Sequence, residues 1–123
     1  MTSPTVMVVD DSDEYRSALK LWLQTKGYQV IEAADGDEAT ANASEAHPDL
    51  ILMDIGMPHR SGISATYRIR KDPILRDIPI IAITGFTSDD LHQDALNAGC
   101  IDCLTKPVDI HYLANLIQRL LSA

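Results

Sequence analysis

Apolar residues in this chain gather into five short runs, and the stretches between them follow a longer period. The runs are TVMVVD (5–10), YQVIEA (28–33), DLILMD (49–54), IPIIAIT (78–84) and CIDCLT (100–105). Three of them are near-continuous in Val, Ile, Leu and Met, the pattern of strands covered on both faces in a parallel sheet. Tyr15, Ala18, Leu19, Trp22 and Leu23 then recur at i, i+3, i+4, i+7 and i+8, one face of an amphipathic helix. Ser12 is placed to cap that helix and Gly27 to end it. Ile110, Leu113, Ala114, Ile117, Leu120 and Leu121 repeat the stripe near the C-terminus. Three further helices are predicted over 36–46, 61–72 and 88–98. The first follows Asp35, the second is capped by Ser61 with Pro73 beyond its end, and the third runs from Thr87 and Ser88 to a stop at Gly99.

Strand and helix therefore alternate five times. Such alternation predicts an α/β fold with a parallel sheet, right-handed crossovers and helices on both faces. Five strands are too few for a closed eight-stranded barrel, which leaves an open doubly wound sheet. Ligands of such sheets bind outside the carboxyl ends of the strands, near the point where strand order reverses. The 123 residues are expected to form one domain, 1–123, since a division would leave neither half enough core.

Composition narrows the function classes. With 46% hydrophobic and 23% charged residues the chain is an ordinary globular sequence. No apolar run approaches the roughly 20 residues needed to cross a bilayer. No basic residue precedes the first apolar run, which argues against a secretory signal, and two cysteines with no export signal suit a reducing cytoplasm. The net charge of −8 argues against nucleic acid as a direct partner and is compatible with binding a divalent cation.

The chemistry gathers at the predicted strand ends. The first strand ends in Asp10 and Asp11, the third in Asp54, the fourth in Thr84 and the fifth in Lys106 followed by Pro107. Each has an ordinary reading on its own, as a helix cap, a β-favouring residue or a turn. Their joint arrival on one rim points to a site. Clustered carboxylates raise one another's pKa, and a hard divalent cation removes that conflict. Magnesium takes oxygen ligands, keeps several waters and is often shared with a phosphate. Asp11 and Asp54 are expected to ligate it directly, with the carbonyl of Gly56 as a third protein oxygen and Asp10 acting through water or a hydrogen bond. One Asp54 oxygen is then free to attack phosphorus and form an acyl phosphate. Lys106 would neutralise charge on the transferring group, and Thr84 would donate its hydroxyl to the bound phosphoryl oxygen.

These segments together resemble a known family. VVDDS, LILMDIGMP, AITG and LTKP, in this order at four strand ends, are similar to the motifs of response-regulator receiver domains in two-component signalling, over essentially the whole chain. The resemblance implies a flavodoxin-like (βα)5 fold with strand order 2-1-3-4-5. It implies Mg²⁺-dependent phosphotransfer to Asp54 from a phosphohistidine on a sensor histidine kinase or phosphotransfer protein. It also implies a partner surface on the fourth helix, fifth strand and fifth helix, and a cis peptide bond at Lys106–Pro107. The expected protein is a stand-alone signalling domain that switches protein interactions or relays phosphate. It would modify itself and turn over no external metabolite.

The chain departs from the family in three places. Cys103 stands where many receivers carry an aromatic ring that turns inward on activation. HRSG follows the MP dipeptide where an Asp often precedes the glycine. Gly56 and Phe86 occupy positions that tune acyl-phosphate lifetime in the family.

CIDC (100–103) matches a redox CxxC, but three residues along a strand span ~10 Å at ~3.3 Å per residue and point to opposite faces. A disulfide needs Cα atoms within about 7 Å, so two buried thiols are expected. His47, His59, His92 and His111 lack metal-ligand spacing; His59 is expected in an exposed loop at the site rim, Trp22 in the core, and Arg68, Arg70 and Lys71 on a solvated helix face. A haloacid-dehalogenase-like phosphatase needs a second Asp where this chain has Gly56, and a flavodoxin needs a hydroxyl-rich loop where it has DDSDE. A degenerate receiver that only binds proteins is the remaining alternative; the complete acid set and Lys106 argue against it.

Overall fold

The structure, a computed structural model, describes residues 3–122. Five strands, β1 (Thr5–Val9), β2 (Gln29–Ala33), β3 (Leu50–Asp54), β4 (Ile80–Thr84) and β5 (Asp102–Thr105), form one parallel sheet in the order β2-β1-β3-β4-β5. The helices are α1 (Asp13–Thr25), α2 (Gly36–Ala46), α3 (Ser61–Lys71), α4 (Asp89–Ala98) and α5 (Ile110–Leu121), with a 3₁₀ turn at Pro58–Arg60 before α3. The flavodoxin-like order 2-1-3-4-5 is borne out. No helix among the described residues is long and apolar enough to cross a membrane.

The sheet separates two cores. Val6, Val8, Leu50, Leu52, Ile81 and Ile83 face α1 and α5, where they meet Leu19, Leu23, Leu113 and Ile117. Met7, Val9, Ile51, Met53 and Ala82 face the other helices, where they meet Ala39, Ala43, Ala65, Ile69 and Ala95. Successive residues of a strand point to opposite faces, so a strand with a core on each side must be apolar at every position. Small residues draw α2 and α3 close to the sheet and to each other. A Cβ on Gly36 would lie 2.2 Å from the carbonyl oxygen of Ser61, and one on Gly62 would lie 2.2 Å from that of Asp54.

Helix starts follow local side-chain chemistry, with one exception. Ser12, Asp35, Ser88 and Asp109 each accept a backbone N–H of the following turn. Ser61 does not cap α3. Arg60 holds that position in a left-handed conformation without a side-chain cap bond, and Ser61 is already the first helical residue. The tight turn from the site loop fixes this entry. Gly27 and Gly99 end their helices at φ +92 and +117, where a Cβ is disfavoured.

Four other expectations change. Cys100 precedes β5, outside its pleat, so both thiols lie on the α2–α4 side of the sheet instead of opposite faces; both are free, and Cys103 is only half-buried. Arg70 is only partly solvated: its guanidinium donates to the carbonyls of Gly99, Arg76 and Ile78 and ties α3 to two loops. In α5, Leu116 joins Leu113 and Ile117 in the core while Ile110, at the start of the helix, is 48% exposed. Trp22 is half-buried at the margin of the α1–α5 core.

Candidate functional site

Parallel strands put all their carboxyl ends on one edge, and the chain places its acids there. Asp10 follows β1 directly and is buried. Its Oδ1 accepts the N–H of Ser12 at 2.8 Å, which starts the turn into α1. Asp11, one residue on, is exposed. Asp54 is the last residue of β3 and is 6% exposed; its Oδ1 accepts the Gly56 N–H at 2.7 Å. One carboxylate oxygen from each of Asp10, Asp11 and Asp54 lies within 4.8 Å of the others.

Lys106 reaches this group from the end of β5. Its Nζ donates to Asp10 Oδ2 at 2.8 Å and to Asp54 Oδ2 at 3.4 Å. The same ammonium lies 4.2 Å from the centroid of the Tyr15 ring on α1. Burial pushes the Asp54 carboxyl upward from its ordinary value; the Gly56 N–H opposes this, Asp10 adds to it and Lys106 opposes it. Burial works to lower the Lys106 pKa, yet the hydrogen bond to Asp10 and the charge of Asp54 outweigh it, and the net direction is up. The lysine is therefore held as an ammonium between two acids. Three carboxylates and one ammonium leave the ionised cluster with two negative charges, a donor set that suits a hard dication with oxygen ligands.

Thr84 ends β4 fully buried, and its Oγ1 accepts the Phe86 N–H at 3.0 Å. Its carbonyl accepts the Lys106 N–H at 2.7 Å, so the ends of β4 and β5 are locked together. The Phe86 ring, 57% exposed, covers Gly56: a Cβ there would lie 2.9 Å from the ring and 3.1 Å from Thr84 Oγ1. Asp10, Asp11, Asp54, Gly56, Thr84 and Lys106 are thus brought to one place. The Lys106–Pro107 bond is cis, as the motif implies. An open cleft of about 380 Å³ runs from Asp11 past Asp35 to Met57 and His59, which puts the exposed His59 on its rim.

Two neighbours of the site were not legible as such. Tyr15 reads in sequence as one member of an apolar stripe, and only the approach of Lys106 makes it a wall of the site. His92 carries no motif, yet its Nε2 lies 3.1 Å from the Phe86 carbonyl oxygen and 3.4 Å from Thr105 Oγ1.

The response regulator receiver domain family matches residues 6–118. The polar-differentiation response regulator DivK of Brucella ovis is 36% identical over 106 residues, 86% of each chain. Among solved structures, the chemotaxis protein CheY4 of Vibrio cholerae superposes with a TM-score of 0.88 at 34% identity, covering 97% of this chain and 99% of that one. The receiver domain of the Pseudomonas aeruginosa sensor histidine kinase PA1611, with a magnesium ion in its active-site cleft, superposes with a TM-score of 0.89 at 32% identity, covering 98% and 99%. With the fold and the acid cluster in agreement, this chain belongs to the response regulator receiver domains of two-component signalling.

Proposed function

We propose that this receiver accepts a phosphoryl group on Asp54 from a phosphohistidine of a sensor histidine kinase or a histidine phosphotransfer protein. The observation that carries the reading is the buried Asp54 carboxylate, its Oδ1 held by Gly56 and its Oδ2 facing Lys106, beside two further acids. A P–O bond forms at Asp54 as the P–N bond of the donor breaks, and the donor imidazole leaves. Lys106, already paired with Asp54, follows the charge onto the phosphoryl oxygens. The Thr84 hydroxyl, now only an acceptor for Phe86 N–H, has its proton available for a phosphoryl oxygen. Asp11, Asp54 and the Gly56 carbonyl would hold Mg²⁺, with Asp10 reached through water or its hydrogen bond to Lys106. When bound, the cation supplies charge neutralisation and orientation of the phosphoryl oxygens.

The chain acts on itself and turns over no external metabolite. The modified state signals to a downstream protein through the α4–β5–α5 face, where Leu96, Ile101 and Tyr112 are exposed, or passes the phosphate onward. Two free thiols suit the reducing cytoplasm in which such a donor works. The test is incubation with Mg²⁺ and acetyl phosphate, read by intact mass, followed by transfer from phosphorylated kinases. One phosphoryl group is expected on the native chain and none on Asp54→Asn. An unmodified native chain under every donor would instead favour a receiver that binds partners without phosphorylation.

A further inference from the structure

We propose that His92 is a positioning residue that couples the Thr84–Phe86 segment at the site to α4 and β5. The inference deepens the switch reading above and rests on it. Phe86 is held at both of its backbone polar groups. Its N–H donates to Thr84 Oγ1 at 3.0 Å, and its carbonyl lies 3.1 Å from His92 Nε2. A carbonyl oxygen can only accept, so the contact assigns the proton to Nε2. The same nitrogen lies 3.4 Å from Thr105 Oγ1, and Thr105 is the register partner of Thr84 across β4 and β5. His92 belongs to the second turn of α4 and is half-buried.

One imidazole therefore meets three elements: the loop after β4, the helix that carries it and the edge strand β5. A Thr84 hydroxyl that rotates toward a group on Asp54 moves the acceptor of the Phe86 N–H. Phe86 must follow or lose that bond, and its carbonyl carries the displacement to His92. The ring has one Nε2–H to share between Phe86 and Thr105, so a change at the first alters the second. This route needs no large side chain at Cys103, two residues from Thr105 and on the same face of β5. A hydrogen bond of this kind is enough to bias a two-state equilibrium about fivefold.

Backbone amide spectra of the full chain with and without Mg²⁺ and beryllofluoride test the coupling. In the native protein, resonances of Phe86, Thr105 and α4 are expected to move together. In His92→Ala those of Thr84 and Phe86 still move, while the displacement at Thr105 falls to about half or less. An undiminished displacement at Thr105 overturns the proposal. A second measurement does not depend on phosphorylation. In the unliganded protein, Thr84→Val removes the acceptor of Phe86 N–H and should shift the His92 ring resonances; unchanged ring resonances overturn the proposal even if beryllofluoride does not bind. Failure of beryllofluoride binding alone, with the ring shifted by Thr84→Val, counts against the phosphoacceptor reading and supports the coupling. If His92→Ala does not fold, Thr105→Val removes the far end of the link: the His92 ring should still respond to beryllofluoride through Phe86, while the displacement of the amide at position 105 falls to about half or less; an undiminished displacement there would overturn the three-element link.

Discussion

The ammonium of Lys106 lies 4.2 Å from the centre of the Tyr15 ring while it donates to Asp10 and approaches Asp54. The aromatic ring is a third contact of the cation beside the two acids. It fixes the ammonium without offering it a competing acceptor. A desolvated cation–π contact of this kind contributes about 0.5–2 kcal/mol. Tyr15→Phe should therefore keep the rate of phosphate incorporation, and Tyr15→Leu should lower it by about three- to tenfold. Acetyl phosphate kinetics measure the rates. The resonances of ¹³C-labelled Lys106 report whether the ammonium has moved, which a purely structural loss of stability would not do.

Lys106→Ala separates charge balance from metal affinity. The substitution leaves two buried acids without their cation, while Asp11 keeps its exposure. Partial exposure of Lys106 discounts the loss, which should be about 1–3 kcal/mol in urea melts without metal. Added Mg²⁺ should restore most of it, because the dication replaces the missing positive charge. Titration calorimetry should show Mg²⁺ bound at least as tightly as in the native chain, and phosphate incorporation should fall sharply. Equal loss of both would contradict a role for Lys106 at the phosphoryl group.

Two glycines near Asp54 should respond in opposite ways. At Gly62 a Cβ would stand 2.2 Å from the backbone oxygen of Asp54, and neither α3 nor β3 can yield. Gly62→Ala should cost about 3 kcal/mol or more. At Gly56 the first obstacle is the exposed Phe86 ring at 2.9 Å, which can swing into solvent. Gly56→Ala should cost under about 1 kcal/mol while displacing the Phe86 and Thr84 resonances. Thermal melts and amide spectra decide both.

The thiols set an alkaline limit. Burial pushes Cys100 from 9.0 up to about 11 and does the same to Cys103. In the unfolded chain these thiols ionise near their ordinary value, so above pH 9 the folded state holds more protons than the unfolded one. Stability must then fall as pH rises between 9.0 and about 11, by up to about 1.4 kcal/mol per pH unit for each thiol still protonated only in the fold. Urea midpoints should decline over that window, and decline less steeply in Cys100→Ala, where Cys103 alone remains. Alkylation by iodoacetamide at pH 8 should be slow even at the half-buried Cys103.

Much of the architecture was readable along the chain. Continuous apolar runs announced strands buried on both faces, and the acids and Lys106 fell at their ends because charge cannot continue into a two-sided core. The cap residues Ser12, Asp35 and Ser88 announced helix starts because each offers an oxygen to free N–H groups. The failures share a cause. Ser61 looked like a cap, but a left-handed Arg60 decides where α3 begins. Arg70 looked like one charge on a polar face, but carbonyls from distant loops converge on it. Cys100 looked like part of a strand, but the pleat begins at Asp102.

Order, period and residue type thus determined the alternating elements, the parallel sheet and the rim on which the chemistry stands, since those follow from local backbone geometry and the burial of apolar faces. Which acid is buried and which is exposed, the ring that supports Lys106 and the imidazole that joins Phe86 to Thr105 were decided only in three dimensions. They depend on contacts between segments up to 96 residues apart, as in the pairing of Asp10 with Lys106, and no local pattern encodes the distance between such atoms.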